Sequence, residues 1–479
     1  MLSLAYRVIS VLSVLALFVC AATTLQAAPE AAPEAARPNI VYILLDDAGY
    51  GDLSCYGQKL FKTPNIDRMA AEGLKFTDHY SGSTVCAPTR CCLMTGLHTG
   101  HTVVRGNREI QPEGQAPMPA DIVTLPRLLR KAGYQTGMFG KWGLGSPGSA
   151  SDPMEHFNKF FGYNCQRQAH TYYPDYLWHD REKVQYGGKV YSGFPIQEAT
   201  LDFIRANKDK PFFCYVPMTI PHAAMHVPEK YAAPFRMNFP QFENKIGKYK
   251  GPNVRNPAAC FAGMMTMMDE QVGEILALLK ELKLDDNTLV MLTSDNGPHK
   301  EGGHMPDFFD SNGPLRGHKR DLTDGGIRAP LIARWPGKIK AGTTTAHIAA
   351  HWDLLPTACE IAKTSTPDDI DGISYVPTLL GKTSEQTPHQ YLYWEFTERG
   401  GKQAVRMGKW KGVRENLFKD PNAPLQLYDL SNDIGEKNNI AAKHPEKVKQ
   451  LEDLLKEAHV ESETFPLLTV SSRNQEKKN

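Results

Sequence analysis

An unbroken apolar run, Asn39-Ile40-Val41-Tyr42-Ile43-Leu44-Leu45, stops abruptly at Asp46-Asp47. A strand of this kind offers no polar face to water, the pattern of a strand covered on both sides in a mainly parallel sheet. Residues 288–293 repeat it and end in Ser294-Asp295-Asn296-Gly297, residues 211–216 lead on to Pro221-His222, and residues 134–139 run into Gly140-Lys141-Trp142. Ligands of open α/β sheets lie beyond the carboxyl ends of the strands. Here those ends deliver Asp46, Asp47, Asp295, Asn296, Lys141 and His222. Helical spacing separates the runs, with helices expected at 66–73, 124–132 and 258–282, the last carrying a methionine-rich stripe (Met264, Met265, Met268) that reads as core.

The expected fold is therefore α/β, a large mainly parallel sheet flanked by helices. After Gly381 the pattern changes: short strands at 391–396, 403–407, 410–414 and 426–428 precede an amphipathic helix at 446–458. These describe a small C-terminal α+β domain with an antiparallel sheet. The expected boundaries are 38–385 for the large domain and 386–479 for the small one. With 54 Lys+Arg against 53 Asp+Glu in 479 residues, no excess of charge points to nucleic acid as a partner.

Residues 1–28 combine Arg7, a short apolar core and small residues at the exit, the features of a signal peptide. Residues 29–37 read as a spacer. The run is short for a stable membrane span, so the expected destination is export, to the periplasm or the medium. Nine cysteines are scattered irregularly, Cys20 among them, and no disulfide is assigned.

Adjacent acids often cap turns, so Asp46-Asp47 alone is weak. Joined by Asp295 and Asn296 they form an all-oxygen set, the preference of Ca²⁺ or, second, Mg²⁺. Carboxylates left unpaired would repel, and a divalent cation holds them together. Residues 83–96 read as a loop entering a helix, with Pro88 in the first turn and Cys86 near the positive helix end. From the residues alone, Cys86 is either a thiolate nucleophile beside Arg90 or a buried structural cysteine.

Cys86-x-Pro88-x-Arg90, continuing to Leu93 and Thr95-Gly96, resembles the signature of the sulfatases of the alkaline-phosphatase-like superfamily. Five further segments match in family order. They are 38–52 around Asp46-Asp47, Thr63-Pro64-Asn65-Ile66-Asp67, Gly133-Tyr134 through Gly140-Lys141-Trp142, Asp295-Asn296-Gly297, and Leu315 to Arg320 with Gly325 to Pro330. The resemblance implies that a maturation enzyme oxidises Cys86 to formylglycine, whose hydrated form attacks sulfur. It implies Ca²⁺ held by Asp46, Asp47, Asp295 and Asn296, with residue 86 in contact. Arg90 would stabilise the nucleophile, Lys141 and Lys319 would bind sulfate oxygens, and His222, ahead of His226, would act as acid or positioner for the leaving alcohol. The implied activity is hydrolysis of an aryl or carbohydrate sulfate ester. Alternatives are a phosphoester hydrolase of the same superfamily and a catalytically silent protein that binds sulfated glycans.

One position departs from the family. A histidine commonly follows Lys-Trp there, and this chain has Gly143. An imidazole from elsewhere is expected to replace it, with His170 the nearest candidate in pattern. The aromatic segment 170–178 is open to two readings, stacking against substrate or buried packing.

Overall fold

The computed structural model describes residues 37–467; the expected leader of 1–28 and all of the spacer except Arg37 lie outside them. Ten strands form the central sheet: β1 (Asn39–Asp46), β2 (Leu74–Phe76), β3 (Gln135–Lys141), β4 (Lys159–Tyr163), β5 (Tyr176–His179), β6 (Glu182–Gln185), β7 (Phe212–Pro221), β8 (Thr288–Ser294), β9 (Leu331–Arg334) and β10 (Thr343–Thr345). Their order is β10-β2-β9-β8-β1-β7-β3-β4-β5-β6. The five strands from β8 to β4 run parallel, while β9, β5 and β6 pair antiparallel to their inner neighbours. The four apolar runs are the inner strands β1, β3, β7 and β8, each within one to five residues of the expected bounds. The outer strands are shorter and less apolar, which hid them from a reading based on continuous hydrophobic runs.

Period-two alternation in β1 sends Val41, Ile43 and Leu45 into one core and Ile40, Tyr42 and Leu44 into another. Both faces are dry, as the run demanded. The first core is covered by α4 (Gly193–Ala206) and α5 (Pro257–Glu281), after α1 (Pro64–Ala71), α2 (Cys86–Thr95) and α3 (Leu125–Lys131) in the chain. Asn256 caps α5, its side chain accepting from the Ala259 N–H, and Pro257 opens the first turn. Met264, Met265, Met268, Val272, Ile275 and Leu279 of α5 are all buried, each contributing roughly 1.5–3 kcal/mol of apolar transfer. The stripe is core, as its spacing indicated. The second core takes Cys91 and Leu93 from α2 and Leu355 and Ala358 from α6 (Leu354–Ile361).

A separate antiparallel sheet follows: β11 (Leu392–Phe396), β12 (Lys402–Met407), β13 (Trp410–Glu415) and β14 (Gln426–Asp429), paired in sequence order. One face places Leu392, Trp394 and Phe396 against Tyr80, Cys92 of α2 and Trp352. The opposite face packs Tyr393, Val405 and Leu427 on Leu451, Leu454 and Leu455 of α7 (Pro445–Glu457). The small sheet is thus a further layer outside the helices on one face of the main body. All eight cysteines among the described residues are free, and no helix of those residues is long and apolar enough to cross a membrane.

Candidate active site

Parallel pairing of β1 with β8 and β7 makes their carboxyl ends leave the sheet on one edge. Leu45 faces Ser294 and Asp46 faces Pro221, so Asp46-Asp47, Asp295-Asn296 and His222 emerge side by side. Strand β3, parallel to β7, carries Lys141 to the same edge. The first turn of α2 supplies Cys86, and Arg90 lies one turn further on. Lys319 comes from the loop after β8, its N–H bonded to the Pro298 carbonyl at 3.0 Å.

Asp47 adopts a left-handed backbone conformation, φ +66, which a non-glycine residue holds only when its surroundings impose it. Here the Asp47 N–H donates to Asp295 Oδ1 at 3.0 Å and Asn296 Nδ2 donates to Asp47 Oδ1 at 2.7 Å. The Lys141 ammonium lies 2.6 Å from Asp46 Oδ2, and that of Lys319 lies 2.8 Å from Asp47 Oδ2. Arg90 forks between Asp295 Oδ2 at 3.0 Å and the Lys141 carbonyl at 2.5 Å, with Asp46 Oδ2 at 3.9 Å. The Cys86 thiol donates to Asp46 Oδ1 at 3.5 Å. His222 donates from Nδ1 to the Ala223 carbonyl at 2.5 Å, which turns Nε2 toward Asp47 Oδ2 at 3.3 Å. All nine residues singled out from sequence are buried at one place.

The carboxylates are not left unpaired, as the sequence argument supposed. Three of them face three cations, Arg90, Lys141 and Lys319, brought in from remote segments. Asp46 and Asp47 are held well below the usual carboxylate range, against the cost of burial, by Lys141 and Lys319 foremost. Asp295 is pushed up to about 7, first by burial and then by the Asp46 carboxylate, despite Arg90. Burial and Asp46 push the Cys86 thiol up, so the thiolate reading fails: Arg90 bonds to Asp295 instead of the sulfur. Asn296 Oδ1 is buried without a hydrogen-bond partner, a cost that a polar neighbour would remove. An orphaned amide oxygen among converging carboxylate oxygens suits a hard divalent cation.

Residues 38–364 match the family described as Sulfatase, and residues 317–463 match that described as N-sulphoglucosamine sulphohydrolase, C-terminal. The chain belongs to the sulfatase family. It is similar to human N-acetylgalactosamine-6-sulfatase, with 35% identity over 452 residues, covering 84% of this chain and 81% of that one. Human arylsulfatase A is 31% identical, with 87% of each chain covered. Among solved structures, that of Ps i-CgsB in complex with k-i-k-neocarrahexaose superimposes with a TM-score of 0.76 at 25% identity, covering 92% of this chain and 96% of that one. This sulfatase is therefore a sulfuric ester hydrolase acting on carbohydrate or aryl sulfates.

At Gly143, where the resemblance led a histidine to be expected, the space is already taken. Gly143 has φ +74, and a Cβ added there would lie 2.9 Å from both Cγ and Nε2 of Gln166. The Gln166 side chain fills the space, and a larger residue at 143 would have to displace it. His170 stacks on His222 instead, with ring centroids 4.1 Å apart and planes 5° from parallel. Its Nε2 is buried without a partner. His226, by contrast, bonds to the Pro252 carbonyl at 2.8 Å.

The segment 170–178 is mostly packing: Tyr172 is fully buried, and Tyr176 and Trp178 both donate to Glu113. The exposed ring beside His170 and His222 is Tyr249, 38% exposed and 5.9 Å from the His222 ring. It sits on the loop between the two-residue strands Ile246–Gly247 and Val254–Arg255. Glu301 and Arg320, paired at 2.7 Å next to Lys319, complete that side. Neither Tyr249 nor Glu301 carried a sequence signal, since isolated residues in polar loops show no periodicity.

Proposed function

We propose that this sulfatase is an exported hydrolase of carbohydrate sulfate esters that works through formylglycine at position 86 and Ca²⁺. The observation that carries the reading is the buried cluster of three carboxylates and three cations around Cys86 and the unpartnered Asn296 Oδ1. Three carboxylates set against three cations leave room for a dication, whose charge a singly charged sulfate ester and a deprotonated nucleophile at residue 86 would together offset, which keeps their burial affordable. Names of similar proteins, an N-acetylgalactosamine-6-sulfatase and a neocarrahexaose complex, support a carbohydrate substrate.

Asp46, Asp47, Asp295 and Asn296 would hold the cation, with residue 86 beside Asp46. When bound, the cation would supply a positive centre for the sulfuryl oxygens, and water added to the residue-86 aldehyde would supply the hydroxyl that attacks sulfur. Arg90, anchored by Asp295 and the Lys141 carbonyl, keeps a fixed positive charge on the nucleophile's side. Lys141 and Lys319 are buried and aligned before substrate arrives, so they offset charge developing on the sulfuryl oxygens without reorganising. His222, fixed by its Nδ1 bond, presents Nε2 to the leaving oxygen. His170 takes the acid–base role left open by Gly143, through its unpartnered Nε2.

The mass of the tryptic peptide from Phe76 to Arg90, taken from protein of the native source, tests this reading. Replacement of the thiol by an aldehyde is expected, and the same digest is expected to yield a first peptide beginning at Pro29. An intact thiol at residue 86 would overturn the proposed nucleophile, and a retained leader would overturn the export reading. Replacing His170 with alanine is expected to lower kcat by about 10²–10⁴-fold, the usual worth of a general acid or base. Calcium content should stay unchanged in that variant. Wild-type turnover in it would remove His170 from the proton path.

A further inference from the structure

A cleft of about 550 Å³ lies beside the chain segments that carry His170 and Tyr249, a volume in the range of ligand pockets. Its lining includes Glu113, Arg167, Gln168, Thr171, Lys183 and Lys250. Gln168 and Thr171 flank His170, which stacks on His222. Lys250 follows Tyr249, whose ring lies 5.6 Å from that of His170. The cleft's lining therefore adjoins His170 and Tyr249 along the chain, on the side of the site where the leaving alcohol must sit.

The charges in this cleft do not cancel. Glu113 accepts from Tyr176 and Trp178 at 2.6 and 2.7 Å and lies 3.9 Å from Lys183. Arg167 pairs with Glu109 at 3.0 Å. Lys250 has only the Arg167 carbonyl, at 3.4 Å, and no carboxylate within 4.0 Å among the described residues. Burial lowers its pKa, with the Glu109 carboxylate acting against this from beyond 4.0 Å and the Arg167 guanidinium adding to it, so the half-buried ammonium has no direct anionic partner. A second group is also unsatisfied: Gln168 donates from Nε2 to the Tyr176 carbonyl, while its Oε1 is buried without a partner. An unpaired cation and an unpaired acceptor on one polar cleft ask for a ligand that carries an anion and a hydroxyl.

We propose that this cleft binds the sugar residue adjoining the one that bears the scissile sulfate, with Lys250 pairing to an anionic substituent and Gln168 Oε1 accepting from a hydroxyl. The proposal rests on the carbohydrate sulfatase reading above and narrows it to anionic oligosaccharides. The anion is either a uronate carboxylate or a second sulfate. Both offer the same oxygen acceptors to an ammonium, and separate substrates distinguish them.

The test compares matured wild type with Lys250→Met and Lys250→Arg on four substrates. These are an aryl sulfate and three sulfated disaccharides, whose second sugar is neutral, a uronate or sulfated. Lys250→Met is expected to raise KM for one or both anionic disaccharides about tenfold more than for the other two, with kcat little changed. Lys250→Arg should recover most of that difference. Whichever anionic disaccharide responds identifies the source. Equal KM changes across all four substrates would overturn the subsite. Calorimetric binding of the same disaccharides to Cys86→Ala protein, with and without Lys250→Met, separates the two readings. Lys250-dependent binding without sulfate release by the matured protein would keep the subsite and overturn the hydrolase reading. Binding indifferent to Lys250 would overturn the subsite alone.

Discussion

Lys319→Ala is expected to lower kcat by about 10²–10³-fold, the usual effect of removing one preorganised stabiliser of transition-state charge. The ammonium is 6% exposed as a residue and lies 2.8 Å from Asp47. Its backbone is tied down on both sides, through the Lys319 N–H to Pro298 and the Arg320 N–H to the Thr84 carbonyl at 3.1 Å. A charge held this firmly costs no reorganisation when the sulfuryl group passes. Steady-state sulfate release from an aryl sulfate reads the effect, and the mass of the residue-86 peptide confirms equal maturation. Lys319→Arg should recover part of the rate, since charge returns with altered geometry. A kcat loss below about tenfold would assign Lys319 to holding Asp47 in place instead of to the chemistry.

Lys411→Met is expected to destabilise the fold by about 3–5 kcal/mol, because it strips one partner from a buried ionic cluster. Lys411 projects from β13 to Asp324 Oδ1 at 2.5 Å and Glu436 Oε1 at 3.1 Å, all three groups fully buried. Asp324 also binds Arg328 at 3.1 Å and the Tyr80 hydroxyl at 2.8 Å. The cluster therefore bolts the small sheet to the loop that carries Lys319, and activity should fall with stability. Burial pushes Glu436 up to about 7, above the ordinary glutamate value near 4.3. A carboxyl raised in this way costs the fold stability as pH rises from about 4.3 through 7, since the unfolded chain ionises freely. Without Lys411 that cost grows, so the variant's deficit should be larger at pH 8 than at pH 5. Thermal unfolding at both pH values measures this. A deficit under about 1 kcal/mol, or one that shrinks as pH rises, would show that Arg328 and water neutralise the cluster unaided.

The residues of the site were readable because strand ends are marked twice, by an apolar run and by the polar group that stops it. Asp46-Asp47, Asp295-Asn296, Lys141 and His222 were all found that way. Cys86, Arg90 and Lys319 came from the resemblance, since a cysteine in a helix turn has no unique chemical reading. The reading of Cys86 as a thiolate could not survive burial beside Asp46. That pairing joins residues forty positions apart.

Sequence alone determined the α/β class, the dry inner strands, the methionine core of α5, the four-stranded C-terminal sheet and the six polar residues that gather at the strand ends. Local patterning suffices for these, because period and punctuation are properties of neighbouring residues. Tertiary structure decided what those patterns do not encode. It paired each carboxylate with a cation from a distant segment, filled the space at Gly143 with Gln166, stacked His170 on His222 and set Tyr249 and Lys250 beside them. These outcomes depend on distances between segments up to 272 residues apart, as with Asp47 and Lys319, and only the folded register of β1, β7 and β8 brings such segments together.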